Sequence, residues 1–105
     1  MECNYTMSEA VSDCENESYT KLKNKIIMKN AKYSINANLV YKNGYSGKNV
    51  NIAVLDTGVF KHKQLDGCIK HFMDFVGGKE TCYDDNGHGT HVCGILSAAD
   101  IGMAP

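Results

Sequence analysis

Two short stretches of this chain combine residue types that move protons. The first is Asp56-Thr57-Gly58, in which a carboxylate directly follows the apolar run Val50-Asn51-Ile52-Ala53-Val54-Leu55. The second is Asp85-Asn86-Gly87-His88-Gly89-Thr90-His91-Val92-Cys93-Gly94, which sets two imidazoles three residues apart among glycines. An imidazole with a pKa near 6.5 accepts and returns a proton near neutral pH, and a carboxylate beside it fixes its tautomer and supports its charged form. Asp-Thr-Gly alone is also a common turn opener. The histidine segment is more specific, because a glycine inside a helix costs roughly 1 kcal/mol relative to alanine, so Gly89 and Gly94 call for a close approach of backbone or substrate.

The elements that would position these groups follow from spacing. Val50 to Leu55 is β-branched and apolar over a strand's length, as in a strand covered on both faces of a parallel sheet. A carboxylate at its carboxyl end stands where open α/β sheets build their sites. From His88 the apolar residues Val92, Ile95, Leu96 and Ala99 recur at helical spacing, placing the histidine at a helix start. Ser34 as N-cap, Ile35, Leu39 and Val40 on one face and Gly44 as a stop predict a helix over 35–43. Cys68 to Val76 is a second strand candidate, and 77–87 is a polar, turn-rich loop. The order helix, strand, strand, helix indicates an α/β fold with a parallel sheet.

The remainder of the chain is less informative. Residues 1–20 carry Glu2, Glu9, Asp13, Glu15 and Glu17 with no lysine and no apolar period, and read as a loose tail. Lysines 21, 23, 25, 29 and 32 follow as a solvated face of a short helix or an extended lead-in. The division is therefore 1–30, a polar tail or short pro-segment, and 31–105, the part that holds both stretches and that the resemblance given below assigns to an incomplete domain. Across 105 residues, eleven lysines and no arginine face twelve acidic residues, a formal charge of −1 that gives no footprint for nucleic acid. No apolar run approaches the roughly 20 residues that span a bilayer, and Met1-Glu2-Cys3-Asn4 does not open a signal segment, so a cytoplasmic protein with no membrane partner is expected. Five cysteines, Cys3, Cys14, Cys68, Cys82 and Cys93, are an odd number that favours reduced thiols over a disulfide framework.

Ile52-Ala53-Val54-Leu55-Asp56-Thr57-Gly58 followed by Gly87-His88-Gly89-Thr90-His91-Val92-Cys93-Gly94 resembles the subtilisin-like serine proteases. The likeness runs from about Leu39 to Pro105, with Tyr45 to Val50 similar to the lead into the aspartate strand and Gly102 to Pro105 to the turn after the histidine helix. It implies part of the three-layer subtilisin-like α/β fold, a polypeptide substrate, Asp56 as the triad carboxylate and His88 as the general base, with His91 structural. None of the six serines, Ser8, Ser12, Ser18, Ser34, Ser46 and Ser97, sits in a setting like the family's Gly-Thr-Ser-Met-Ala. Ser97 lies nine residues past His88, about 13 Å along the helix and about 900° around it, on the opposite side. No match to the oxyanion asparagine occurs either. The resemblance thus implies an amino-terminal piece of the domain, without turnover on its own and in need of the carboxy-terminal part as partner.

No cofactor is expected. The family's usual calcium ligand after the aspartate is replaced by His62-Lys63-Gln64-Leu65, and Ser97 to Gly102 is too short for the calcium loop. Cys93 stands where alanine is usual and reads as a small buried residue. Two further readings compete with the protease: a zinc site from Cys82, His88, His91 and Cys93, whose spacing fits no common finger, and a truncated remnant without catalysis.

Overall fold

The computed structural model describes residues 17–104. Three α-helices form: α1 (Glu17–Ser34), α2 (Ala37–Lys42) and α3 (His88–Ser97), with a 3₁₀ turn at Lys63–Leu65. The acidic stretch expected as a loose tail lies outside the described residues up to position 16, and α1 begins at Glu17. This helix runs unbroken past residue 30, so the lysine cluster is helical.

The helix expected over 35–43 forms over Ala37–Lys42. Its start differs. Ser34 ends α1, donating its hydroxyl to the Asn30 carbonyl at 3.0 Å, and Asn36, at φ 57°, makes the turn into α2. Asparagine tolerates this left-handed conformation, which lets the chain reverse within two residues. At the other end Gly44 N–H bonds to Tyr41 O (2.9 Å) and Tyr45 N–H to Val40 O (3.2 Å), the Schellman pattern that satisfies the last carbonyls.

No strand forms among the described residues, so the expected parallel sheet is not seen. A strand exists only as half of a ladder, and neither Val50–Leu55 nor Cys68–Val76 finds a second strand alongside. Val50, Ile52, Leu55 and Phe75 are exposed accordingly, Leu55 at 88% and Val76 at 100%. The second candidate is also broken from within. Asp74 accepts the N–H groups of Val76 (2.9 Å), Gly77 (2.8 Å) and Lys79 (3.1 Å) and the Tyr83 hydroxyl (2.7 Å), winding the backbone into a turn. These donors, Gly77 N–H foremost, hold the Asp74 carboxyl well below the usual carboxylate range, and the same contact raises the Tyr83 phenol. The Lys79 ammonium lies 3.8 Å from the Tyr83 ring centroid and closes the loop.

The core is small and sits against α3. Val59, Leu65, Thr90 and Ala98 are buried there, while Ala37 is buried at the start of α2. Gln64 pins the segment after α3: its carbonyl accepts Ala99 N–H (2.9 Å), and its amide pairs with Asp100 N–H and the Asp100 carboxylate (3.0 and 2.8 Å). Residues 102–104 fold back on α3, with Met103 N–H on Ile95 O (2.7 Å) and Ala104 N–H on Leu96 O (2.8 Å). The Tyr41 hydroxyl donates to Met103 O, joining α2 to this end. Among the described residues, no helix is long and apolar enough to cross a membrane.

Candidate active site

Asp56 and His88, 32 positions apart in the chain, meet at the amino end of α3. His88 Nδ1 lies 2.8 Å from Asp56 Oδ1 and 3.0 Å from Oδ2. A carboxylate at this nitrogen selects the tautomer with the proton on Nδ1, which leaves the Nε2 lone pair as the base. The Asp56 side chain is turned inward at 15% exposure, whereas that of His88 is 65% exposed, so one edge of the ring is held and the other faces solvent. Asp56 Oδ1 also accepts the Thr57 N–H at 2.7 Å. The His88 contact first, and the Thr57 N–H second, hold the Asp56 carboxyl below the usual carboxylate value.

Close backbone approach makes the pairing possible. A methyl group at Gly89 would stand 2.1 Å from Gly58 O and 3.1 Å from Asp56 Oδ1, and one at Gly58 would stand 2.1 Å from Tyr83 O. Only glycine at both positions lets the aspartate turn and the histidine helix come this near. Gly94, read from sequence as another close-approach site, has nothing within 4 Å of where its methyl would be.

The helix start lacks a side-chain cap of its own, because Gly87 occupies the N-cap. Asp84 supplies that function from three residues upstream. Its Oδ1 accepts N–H groups of Gly87 (2.9 Å) and Asn86 (3.3 Å), and Oδ2 accepts both the N–H (2.8 Å) and the hydroxyl (2.5 Å) of Thr90. Partial burial raises this carboxyl, but the Thr90, Gly87 and Thr57 donors outweigh it and bring its pKa to about 2. Sequence reasoning missed Asp84, Thr57 and Thr90. Their signal was present only as an aspartate in a turn-rich loop and two threonines next to the candidate site.

The remaining candidates lie apart from the pair. Ser97 is at the far end of α3 with its hydroxyl on Cys93 O (3.2 Å), and no described serine hydrogen-bonds to His88. Burial pushes the Cys93 thiol up, with the Asp56 and Asp84 charges adding to the shift, so it stays protonated. Among the described residues, Cys68, Cys82 and Cys93 form no disulfide. Among the described residues, no three His, Cys, Asp or Glu side chains are grouped to hold a metal, so Cys82, His88, His91 and Cys93 do not converge as zinc ligands.

The same segments match known proteins. The model of the subtilase family covers residues 47–104, more than half of the chain and both members of the Asp56–His88 pair. The chain belongs to the subtilase family. Serine protease AprX of Bacillus subtilis is 39% identical over 93 residues, covering 85% of this chain and 21% of that protein. The major intracellular serine protease of the same organism is 44% identical over 81 residues, covering 68% and 25%. Subtilisin BL of Lederbergia lenta is 38% identical over 76 residues, covering 68% and 28%. The subtilase chain thus spans between a fifth and a third of the length of these relatives. No solved structure matches it. Family membership carries the α/β class.

Proposed function

We propose that this chain carries the aspartate and histidine of a serine endopeptidase triad, with the serine and the oxyanion donors contributed by polypeptide that continues the domain. The observation that carries the reading is the imidazole held through Nδ1 by both oxygens of an inward-facing carboxylate, with Nε2 open. The named serine proteases among its relatives support it.

In this reading the substrate is a polypeptide. His88 Nε2 takes the proton of the serine hydroxyl as its oxygen attacks the peptide carbonyl carbon. The imidazolium is stabilised by Asp56, which keeps the Nδ1 proton in place and remains ionised. His88 then delivers the Nε2 proton to the leaving amine nitrogen as the C–N bond breaks, giving an acyl-enzyme. Water attacks that ester, with His88 again taking the proton and returning it to the serine oxygen. The parallel sheet belongs to the same proposal: the uncovered run Val50 to Leu55 pairs with strands of the completed domain. Calcium enters no step. The 62–65 stretch offers no carboxylate, and the Gln64 amide oxygen there already accepts Asp100 N–H, a donor set unlike the six to eight oxygens calcium takes.

The test compares the purified 105-residue chain with a polypeptide extended by downstream coding sequence, using a peptide substrate and a serine-directed phosphonate. Hydrolysis and labelling are expected only in the extended form and are lost on His88→Ala or Asp56→Ala. Labelling of the short chain that depends on His88 refutes the reading.

A further inference from the structure

We propose that Asp84 is a positioning residue for the Asp56–His88 pair, locking the turn that bears the aspartate onto the helix that bears the histidine through Thr57 and Thr90. The inference rests on the triad reading above and goes beyond it by naming what sets the separation of its two members.

Two straps cross between the segments. The Thr57 hydroxyl donates to Asp84 Oδ1 (2.8 Å) and accepts the Gly89 N–H (3.1 Å). The Thr90 hydroxyl donates to Asp84 Oδ2 and accepts the Phe60 N–H (2.9 Å). Each hydroxyl therefore gives one hydrogen bond to the carboxylate and takes one from the opposite backbone. Thr57 adjoins Asp56, and Gly89 adjoins His88, so the straps act on the backbone on either side of the Nδ1 contact. Thr90 is buried, which shields its half of the network from water.

Every partner of Asp84 is a donor: three N–H groups and two hydroxyls. Only an ionised carboxylate answers that set, because it accepts at both oxygens and donates nothing. Asparagine has nearly the same shape but presents an NH₂ to one side. Placed toward Thr90 it opposes a fixed N–H, and placed toward Thr57 it opposes Gly87 N–H. Shape is kept and one strap loses its acceptor in either orientation, so the substitution separates charge and acceptor pattern from packing.

A purely structural role would alter the stability of α3 and leave the Asp56 carboxyl as it is. The readout is therefore the ¹³C carboxyl titration of Asp56 in the full 105-residue chain, with amide exchange of α3 recorded in parallel. In the parent chain Asp56 is expected to titrate below the ordinary carboxylate value of 3.8 because His88 contacts it. In Asp84→Asn and in Thr90→Val, whose hydroxyl bonds to Asp84 and not to Asp56, the midpoint is expected to rise toward 3.8, and in Thr90→Ser, which keeps the hydroxyl, it returns to the parent value. Loss of α3 protection in Asp84→Asn with an unmoved Asp56 midpoint overturns the proposal. Should Asp84→Asn fail to fold, the Thr90→Val and Thr90→Ser pair decides by the same readout, equal midpoints counting against it. An Asp56 that titrates at the ordinary value in the parent chain instead removes the Asp56–His88 pairing itself, which is a failure of the triad reading and is recognised as such without any variant.

Discussion

Replacing Gly89 with alanine should act on the site in a way that the same replacement at Gly94, five residues along α3, does not. On helix propensity alone both changes are favourable by roughly 1 kcal/mol. At Gly89 the new Cβ would sit 2.1 Å from Gly58 O, about 0.9 Å inside the 3.0 Å below which such contacts essentially never occur. The obstacle is backbone, which cannot rotate aside, so α3 and the Asp56 turn must separate by something near that distance. Overpacking of this kind costs about 1–3 kcal/mol, enough to cancel the propensity gain and exceed it. At Gly94 no described atom lies within 4 Å, and the gain should survive. Thermal melts followed by circular dichroism should show Gly94→Ala at or above the parent and Gly89→Ala below it. The separation should also release Asp56 from His88, raising the Asp56 carboxyl toward its ordinary value, and in an active extended form a displacement of about 1 Å is worth roughly 10²-fold in kcat. A Gly89→Ala chain as stable as Gly94→Ala, with Asp56 still titrating low, would refute the close-approach argument.

Acid should destabilise the chain in a defined window. The Asp84 carboxyl is lowered on folding from 3.8 to about 2, so the stability it contributes is complete above its unfolded value and lost as pH falls through the folded one, between about 4 and 2. Its magnitude is about 1–2 kcal/mol after allowing for solvent at this half-buried group, and Asp84→Asn should flatten that part of the pH–stability curve. The exposed apolar side chains Leu55, Phe75 and Val76, in two separate segments, should drive self-association of the isolated chain, read by sedimentation, and a Leu55→Lys, Phe75→Lys double variant should reduce it; a monomeric parent with a sharp melt would show this to be wrong. Ser97→Ala should leave the extended enzyme's turnover unchanged, since that hydroxyl is spent on Cys93 O, whereas His88→Ala should cost on the order of the 10⁶ that loss of the histidine costs subtilisin.

What the sequence by itself determined was the local elements around Asp56 and His88, the two residues it singled out and the structure brings into contact. Asp56 after an apolar run and His88 before a helical period are patterns within about ten residues, and the helix indeed begins at His88. The helix near 35–43 and its stop before Gly44 were legible for the same reason, since periodicity and caps act within a turn or two. Tertiary structure alone decided which glycine matters. Gly89 and Gly94 look alike in sequence, and they differ only because Gly58 O lies against one of them. It also decided that an aspartate in a polar loop joins two threonines 27 and 6 positions away, because a hydrogen bond between distant residues depends on the path of the backbone and not on local period. The parallel sheet marks the limit in the other direction. Val50 to Leu55 has a strand's composition, but a ladder requires a partner, and pairing is a property of two segments that no single run of residues contains.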